Sequence, residues 1–224
     1  MTVAPTLAER SWRLNRSAGA IPPLPGVLLL TDEKRLPDPL PAAAALPPGS
    51  AVVLRHYDAP GRAALATMLQ RLCAARRLRL LVANDWRLAA AVGAAGVHLA
   101  EGLLPRAPVS RLRARGWLVT AAAHGVPALW RAARAGASAA LLSPVFATAS
   151  HPGARSLGAL RFAATVQQAP LPVYALGGID AGNVRALQES GAVGVAAIAG
   201  LTPGGGTGRK PGPPAAAGRR GAGA

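Results

Sequence analysis

Short apolar runs, separated by turns rich in glycine and proline, recur through most of this chain. Eight of them read as strands, at 26–31, 51–56, 78–83, 96–99, 117–121, 138–143, 172–176 and 193–198. Their apolar residues are consecutive rather than alternating, the pattern of strands buried on both faces of a parallel sheet. Between most of them the spacing changes to that of amphipathic helices, at 61–77, 86–92, 127–135, 157–168 and 181–190. Gly93-Ala94, Gly136-Ala137 and Gly191-Ala192 each close one of these helices and lead into the next strand. Glycine suits the left-handed residue that ends a helix, so the repeated pair marks a repeated αβ unit. Eight such strands predict a closed (β/α)8 TIM barrel in preference to an open doubly wound sheet.

Two stretches depart from the pattern. Residues 36–50 are rich in proline and alanine, which predicts a short or irregular first helix. Residues 201–224 hold eight glycines and four prolines and almost no large apolar side chain. Such a segment buries too little surface to offset its ordering entropy, so a disordered tail is expected where a barrel's last helix should stand. The expected organisation is an N-terminal extension over 1–25, a barrel over 26–200 and the tail over 201–224.

Composition narrows the class. Apolar residues make up 51% and aromatics 4%, so the core is built from alanine, leucine and valine. No apolar run reaches the roughly 20 residues of a bilayer span, and the polar first 16 residues carry no signal-like region, so no membrane association is expected. The single cysteine, Cys73, lies in a helical stretch and reads as a buried structural thiol in a cytoplasmic protein. The net charge of +16 raises the question of nucleic acid. Its arginines are spread along the helices with no interleaved aromatics for base stacking, so no nucleic-acid partner is expected and anionic small molecules are favoured.

Chemistry is concentrated at the strand ends. The run from Leu171 to Asp180 finishes an apolar strand in Gly177 and Gly178, and the strand that follows ends at Ala199 and Gly200. Two neighbouring strand ends without side chains leave N–H groups to surround an anion, and the loops after strands 7 and 8 are where barrels commonly hold phosphate. Of only nine acids, Asp32, Asp85, Glu101 and Asp180 all follow predicted strands. Asp85 precedes a helix and can cap it, and Asp180 reads as a cap. His98 sits in an apolar strand, either as a core histidine or at a site. His124 and His151 lie in loops where they could face a ligand.

Asn84-Asp85, Gly96-Val-His-Leu99, Ser143-Pro-Val-Phe-Ala-Thr148, Leu157-Gly158 and Gly177-Gly-Ile179 occur in order at successive strand ends. Over about residues 28–201 the chain resembles the thiamine-phosphate synthase family, which includes the thiazole tautomerases. The resemblance implies a transferase of thiamine biosynthesis that joins hydroxymethylpyrimidine pyrophosphate to thiazole phosphate and releases pyrophosphate, with Mg²⁺. It implies Asp85 as a metal carboxylate, with Glu101 as a second one if its loop is rearranged. Arg55, Asn84, Thr148 and His151 are the implied catalytic contacts to pyrophosphate, and Gly177, Gly178, Ala199 and Gly200 the cradle for the thiazole phosphate. The implied partners are these small phosphorylated substrates; the oligomeric state is left open.

The chain departs from the family at several of these positions. The family's second metal carboxylate aligns with Leu103, the residues flanking the strand 2 arginine become Val53 and Tyr57, the strand 5 serine becomes Ala122, and a lysine becomes His151. The pyrophosphate half is thereby weakened and the phosphate half kept. Two other readings stay open at this level: a metal-free thiazole tautomerase using His124 or His151, and a non-catalytic barrel that binds thiazole or thiamine phosphate.

Overall fold

The computed structural model describes residues 24–148 and 155–198. Its strands are β1 (Val27–Leu30), β2 (Ala51–Leu54), β3 (Arg79–Ala83), β4 (Gly96–Leu99), β5 (Leu118–Ala123), β6 (Ala139–Leu142), β7 (Val173–Leu176) and β8 (Gly194–Ala197). They close in chain order into a parallel barrel, β1 pairing with both β2 and β8. The helices are α1 (Leu40–Ala44), α2 (Arg62–Ala75), α3 (Trp86–Val92), α4 (Val109–Ala114), α5 (Val126–Arg134) and α6 (Gly158–Gln167). Single 3₁₀ segments cover Glu101–Arg106 and Val184–Leu187. All eight predicted strands are present.

Consecutive apolar residues in each strand serve two separate cores. Leu28, Leu30, Val53, Leu81, Leu141 and Tyr174 fill the barrel. Val27, Leu29, Val52, Leu54, Val82 and Val97 pack outward against the helices. The interior is tight. A Cβ on Gly194 would lie 2.3 Å from the Gly26 carbonyl oxygen and 3.0 Å from the Tyr174 ring, so the aromatic ring takes the room that a β8 side chain would need. The buried Tyr174 hydroxyl donates to the Pro25 carbonyl at 2.7 Å, which satisfies the polar end of the ring.

Two expectations about helices need correction. The helix expected over 181–190 is only the 3₁₀ turn Val184–Leu187. Asp180 and Asn183 form a reciprocal pair in front of it, and the chain already turns left-handed at Glu189 and Gly191, leaving no room for a further turn. Conversely, the sequence pattern missed the Glu101–Arg106 turn and α4. Pro105 and Pro108 cut that region into pieces too short to show a helical period. Residues 36–50 contain the five-residue α1, as the proline content predicted. The tail over 201–224 lies outside the described residues, as does nearly all of the extension over 1–25.

Candidate functional site

The C-terminal ends of β1 and β2 are linked by buried hydrogen bonds. The Arg55 amide donates to Thr31 Oγ1 (2.9 Å), which is 2.8 Å from His56 Nδ1. Asp32 follows at once. Its Oδ1 accepts from the amides of Lys34 and Arg35, and its Oδ2 lies 2.7 Å from Arg35 and 3.3 Å from Arg55. The hydrogen-bonding Arg35 guanidinium beside it holds the Asp32 carboxyl at about 2. Arg55 is three-quarters buried at this position, and its Nε has no partner among the described residues.

At the ends of β3 and β4 an asparagine ties two loops together. Asn84 adopts φ 59°; its amide donates to the His98 carbonyl (2.8 Å) and its Oδ1 accepts from the Ala100 amide (2.7 Å). Asparagine is among the few residues that tolerate this left-handed backbone. Asp85 caps α3, with Oδ1 accepting from the Leu88 amide at 2.8 Å. Its second oxygen lies a loose 3.5 Å from Arg62 Nη1. Arg62 also donates to the Ala83 carbonyl (2.6 Å) and stacks 5.8 Å over the Tyr57 ring. The capping role read from the sequence is therefore real, and it occupies only half of the Asp85 carboxylate.

Inside the barrel below these loops, His98 is fully buried, with Nδ1 3.0 Å from Thr120 Oγ1. Desolvation, with the Arg55 charge second, lowers its pKa to about 4, so the ring is neutral at pH 7. Glu101 does not face Asp85: its Oε1 accepts a hydrogen bond from Arg131 on α5. Leu103 packs against the outer core. A cleft of about 590 Å³ lies between the Glu101–Arg106 turn and α5, lined by Glu101, Leu104, Pro105, His124, Arg131 and Arg134. His124 Nδ1 is 3.0 Å from the Ser143 carbonyl oxygen and the ring is exposed.

The ends of β6 and β7 are built differently. Val145 and Phe146 donate their amides to the carbonyls of Leu176 and Gly177 at 2.9 and 3.0 Å, laying the loop after β6 across the glycine pair. Gly177 and Gly178 have φ 102° and 63°. A Cβ on Gly178 would stand 2.4 Å from the Ala147 carbonyl oxygen. The pair is thus required by this backbone contact whatever it binds. Among the described residues the amides of Gly177, Gly178 and Ile179 make no hydrogen bond, which leaves N–H groups for an anion. Asp180 does not cap a helix as the sequence suggested: it accepts from the amides of Gly182 and Asn183 in the turn ahead of the Val184–Leu187 segment, where Asn183 stands at the N-cap.

The structure therefore brings Arg55, Asn84 and Asp85 to one sector of the barrel mouth and Gly177 and Gly178 to another. Thr148 ends the described part of the loop after β6, while His151, Ala199 and Gly200 lie outside the described residues. Asp32, Arg62 and Arg131 were not singled out as site residues from the sequence. Asp32 carried one signal, an acid directly after a strand; Arg62 and Arg131 reach across from helices and carried none. Among the described residues no three metal-ligating side chains cluster. Asp85 nevertheless offers a hard oxygen that is only loosely engaged, and Mg²⁺ is commonly held by one or two carboxylates plus phosphate oxygens and water. The residues fit that mode.

A family model described as thiamine monophosphate synthase matches residues 29–201, well over half the chain. A thiamine-phosphate synthase of Acidithiobacillus ferrooxidans is 32% identical over 186 residues, covering 79% of this chain and 86% of its own. One from Methanoculleus marisnigri is 38% identical over 153 residues, covering 66% and 71%. Among solved structures, a thiamine phosphate pyrophosphorylase from Pyrococcus furiosus superposes with a TM-score of 0.65 at 25% identity, over 77% of this chain and 85% of that one.

Proposed function

Because the chain belongs to the thiamine-phosphate synthase family, a transferase family of thiamine biosynthesis, we propose a division of labour for its barrel mouth. Hydroxymethylpyrimidine pyrophosphate would lie over the ends of β2 to β4 and thiazole phosphate over the ends of β6 to β8. The carrying observation is that one sector offers arginines and a half-free carboxylate while another offers free backbone amides. The substrates are charged and do not cross membranes unaided, so we assign the reaction to the cytoplasm.

Coupling breaks the bond between the pyrimidine methylene carbon and pyrophosphate and forms one from that carbon to the thiazole nitrogen. Charge accumulates on the departing pyrophosphate, so donors placed there in advance lower the barrier. In this reading Arg55, held by Asp32, presents its guanidinium to the phosphate oxygens. Asn84 has its Oδ1 committed to Ala100, which leaves its amide Nδ2–H₂ to donate. Arg62 supplies a cation beside Tyr57, the position where the family pattern has lysine. Thr148 and His151 would complete the contacts from the loop after β6. Mg²⁺, when bound through Asp85, supplies charge neutralisation to pyrophosphate. Neutral His98 closes the floor without adding a charge beneath the pyrimidine. The amides of Gly177 and Gly178, with Ala199 and Gly200, would hold the thiazole phosphate in place as the new bond forms.

The direct test incubates the purified protein with both substrates and Mg²⁺ and follows thiamine phosphate by oxidation to its fluorescent form. Turnover is expected, and Asp85→Ala should abolish it. A folded protein that binds thiazole phosphate yet forms no product would refute the coupling.

A further inference from the structure

Glu101 follows β4, the strand next to the one that leads to Asp85, yet its carboxylate is engaged with a helix on the other side. Asn84 bonds through its amide to His98 and through its side chain to Ala100, so the β3 and β4 loops are fastened to one another. Asp85 and Glu101 follow directly on Asn84 and Ala100, the two linked residues at the barrel mouth. Glu101 instead hydrogen-bonds Arg131 at the rim of the cleft beside α5. Arg131 is about half exposed, and a pair that open to water is weak. Next to it, Gly102 has open space where a side chain would stand.

We propose that the Glu101–Arg131 pair is a latch that withholds a second carboxylate from the Asp85 metal position. The latch opens when Mg²⁺ arrives with pyrophosphate, because a dication attracts a carboxylate more strongly than a solvated guanidinium does. This rests on the reading that Asp85 holds Mg²⁺. It explains how a chain with Leu103 packed into the outer core can still offer two carboxylates. Glu101, earlier on the same 3₁₀ segment, takes over the task and is released only on demand.

The test titrates Mg²⁺ into the full-length protein with inorganic pyrophosphate by calorimetry, alongside melting temperatures without ligand. Arg131→Met keeps the apolar stem and removes the competitor, so Mg²⁺ should bind about two- to five-fold tighter. Glu101→Gln should bind it weaker than wild type by a similar factor. The double variant Glu101→Gln/Arg131→Met should lose the gain seen with Arg131→Met alone. If the double variant keeps that gain, the effect is only the loss of a nearby positive charge, and the latch is refuted. An unchanged affinity in Glu101→Gln refutes it equally, and that variant removes only a partly exposed charge, so it is not expected to disturb the fold. If Asp85→Asn binds Mg²⁺ with pyrophosphate as well as wild type does, the metal position itself is wrong and the latch falls with it.

Discussion

In the proposed division, the groups offered at the ends of β2 to β4 sit on side chains, whereas those at the ends of β6 and β7 sit on the backbone. Arg55, Arg62 and Asp85 are reached through ion pairs and caps whose partners come from other elements. Gly177 and Gly178 are fixed by the loop after β6 lying directly on them. The two modes differ in how they tolerate change. A charge can be offered from a neighbouring element, as the Arg62 guanidinium over Tyr57 is. A backbone contact at van der Waals distance has no substitute, because any Cβ pushes the two segments apart.

The comparison can be broken most forcefully at Gly178. Its left-handed backbone and the close Ala147 carbonyl make Gly178→Ala costly by about 2–5 kcal/mol in chemical denaturation. A loss below about 1 kcal/mol would mean that the loop yields and that the sector is not backbone-limited. Next comes acid. His98 titrates near 4 in the folded protein against an ordinary 6.5, so between those values the unfolded chain binds a proton that the folded one refuses. Stability present above pH 6.5 should fall towards pH 4 by on the order of 3 kcal/mol. His98→Gln should flatten that part of the pH–stability curve, and an unchanged slope would contradict the assignment. Smaller still, Asp85→Ala should cost about 1 kcal/mol of stability for the lost cap. Asp85→Asn should recover most of that stability but not the turnover, separating the cap from the site. At the small end, Arg35→Ala should cost less than about 1 kcal/mol. An NMR titration should then show the Asp32 pKa rising from its depressed value.

The architecture was legible because a barrel strand has a plain signature, a short and mostly apolar run that serves an inner and an outer core at once. Helix ends were legible through the glycines at 93 and 136. The region from Glu101 to Ala114 and the Val184–Leu187 turn were not, since proline and local side-chain bonds decide them and neither has a period. In the site, Asp85 could be read as a cap because a cap depends on residues three positions away. Arg62, Arg131 and the Asp32–Arg55 pair could not. Their bonds span 21 to 30 positions and depend on which helix lies against which loop. The glycine pair was seen as a phosphate cradle, but its first requirement, contact with the loop after β6, needed three dimensions.

The hydroxyl of Tyr174 reaches Pro25 across 149 positions of sequence. That bond joins the entrance of the chain into the barrel with its seventh strand, and β8 then seals against β1 beside it. A nascent chain cannot plug the bottom of its own barrel until nearly all of it has been synthesised. Local αβ pairs are therefore expected to form before this long-range stopper does.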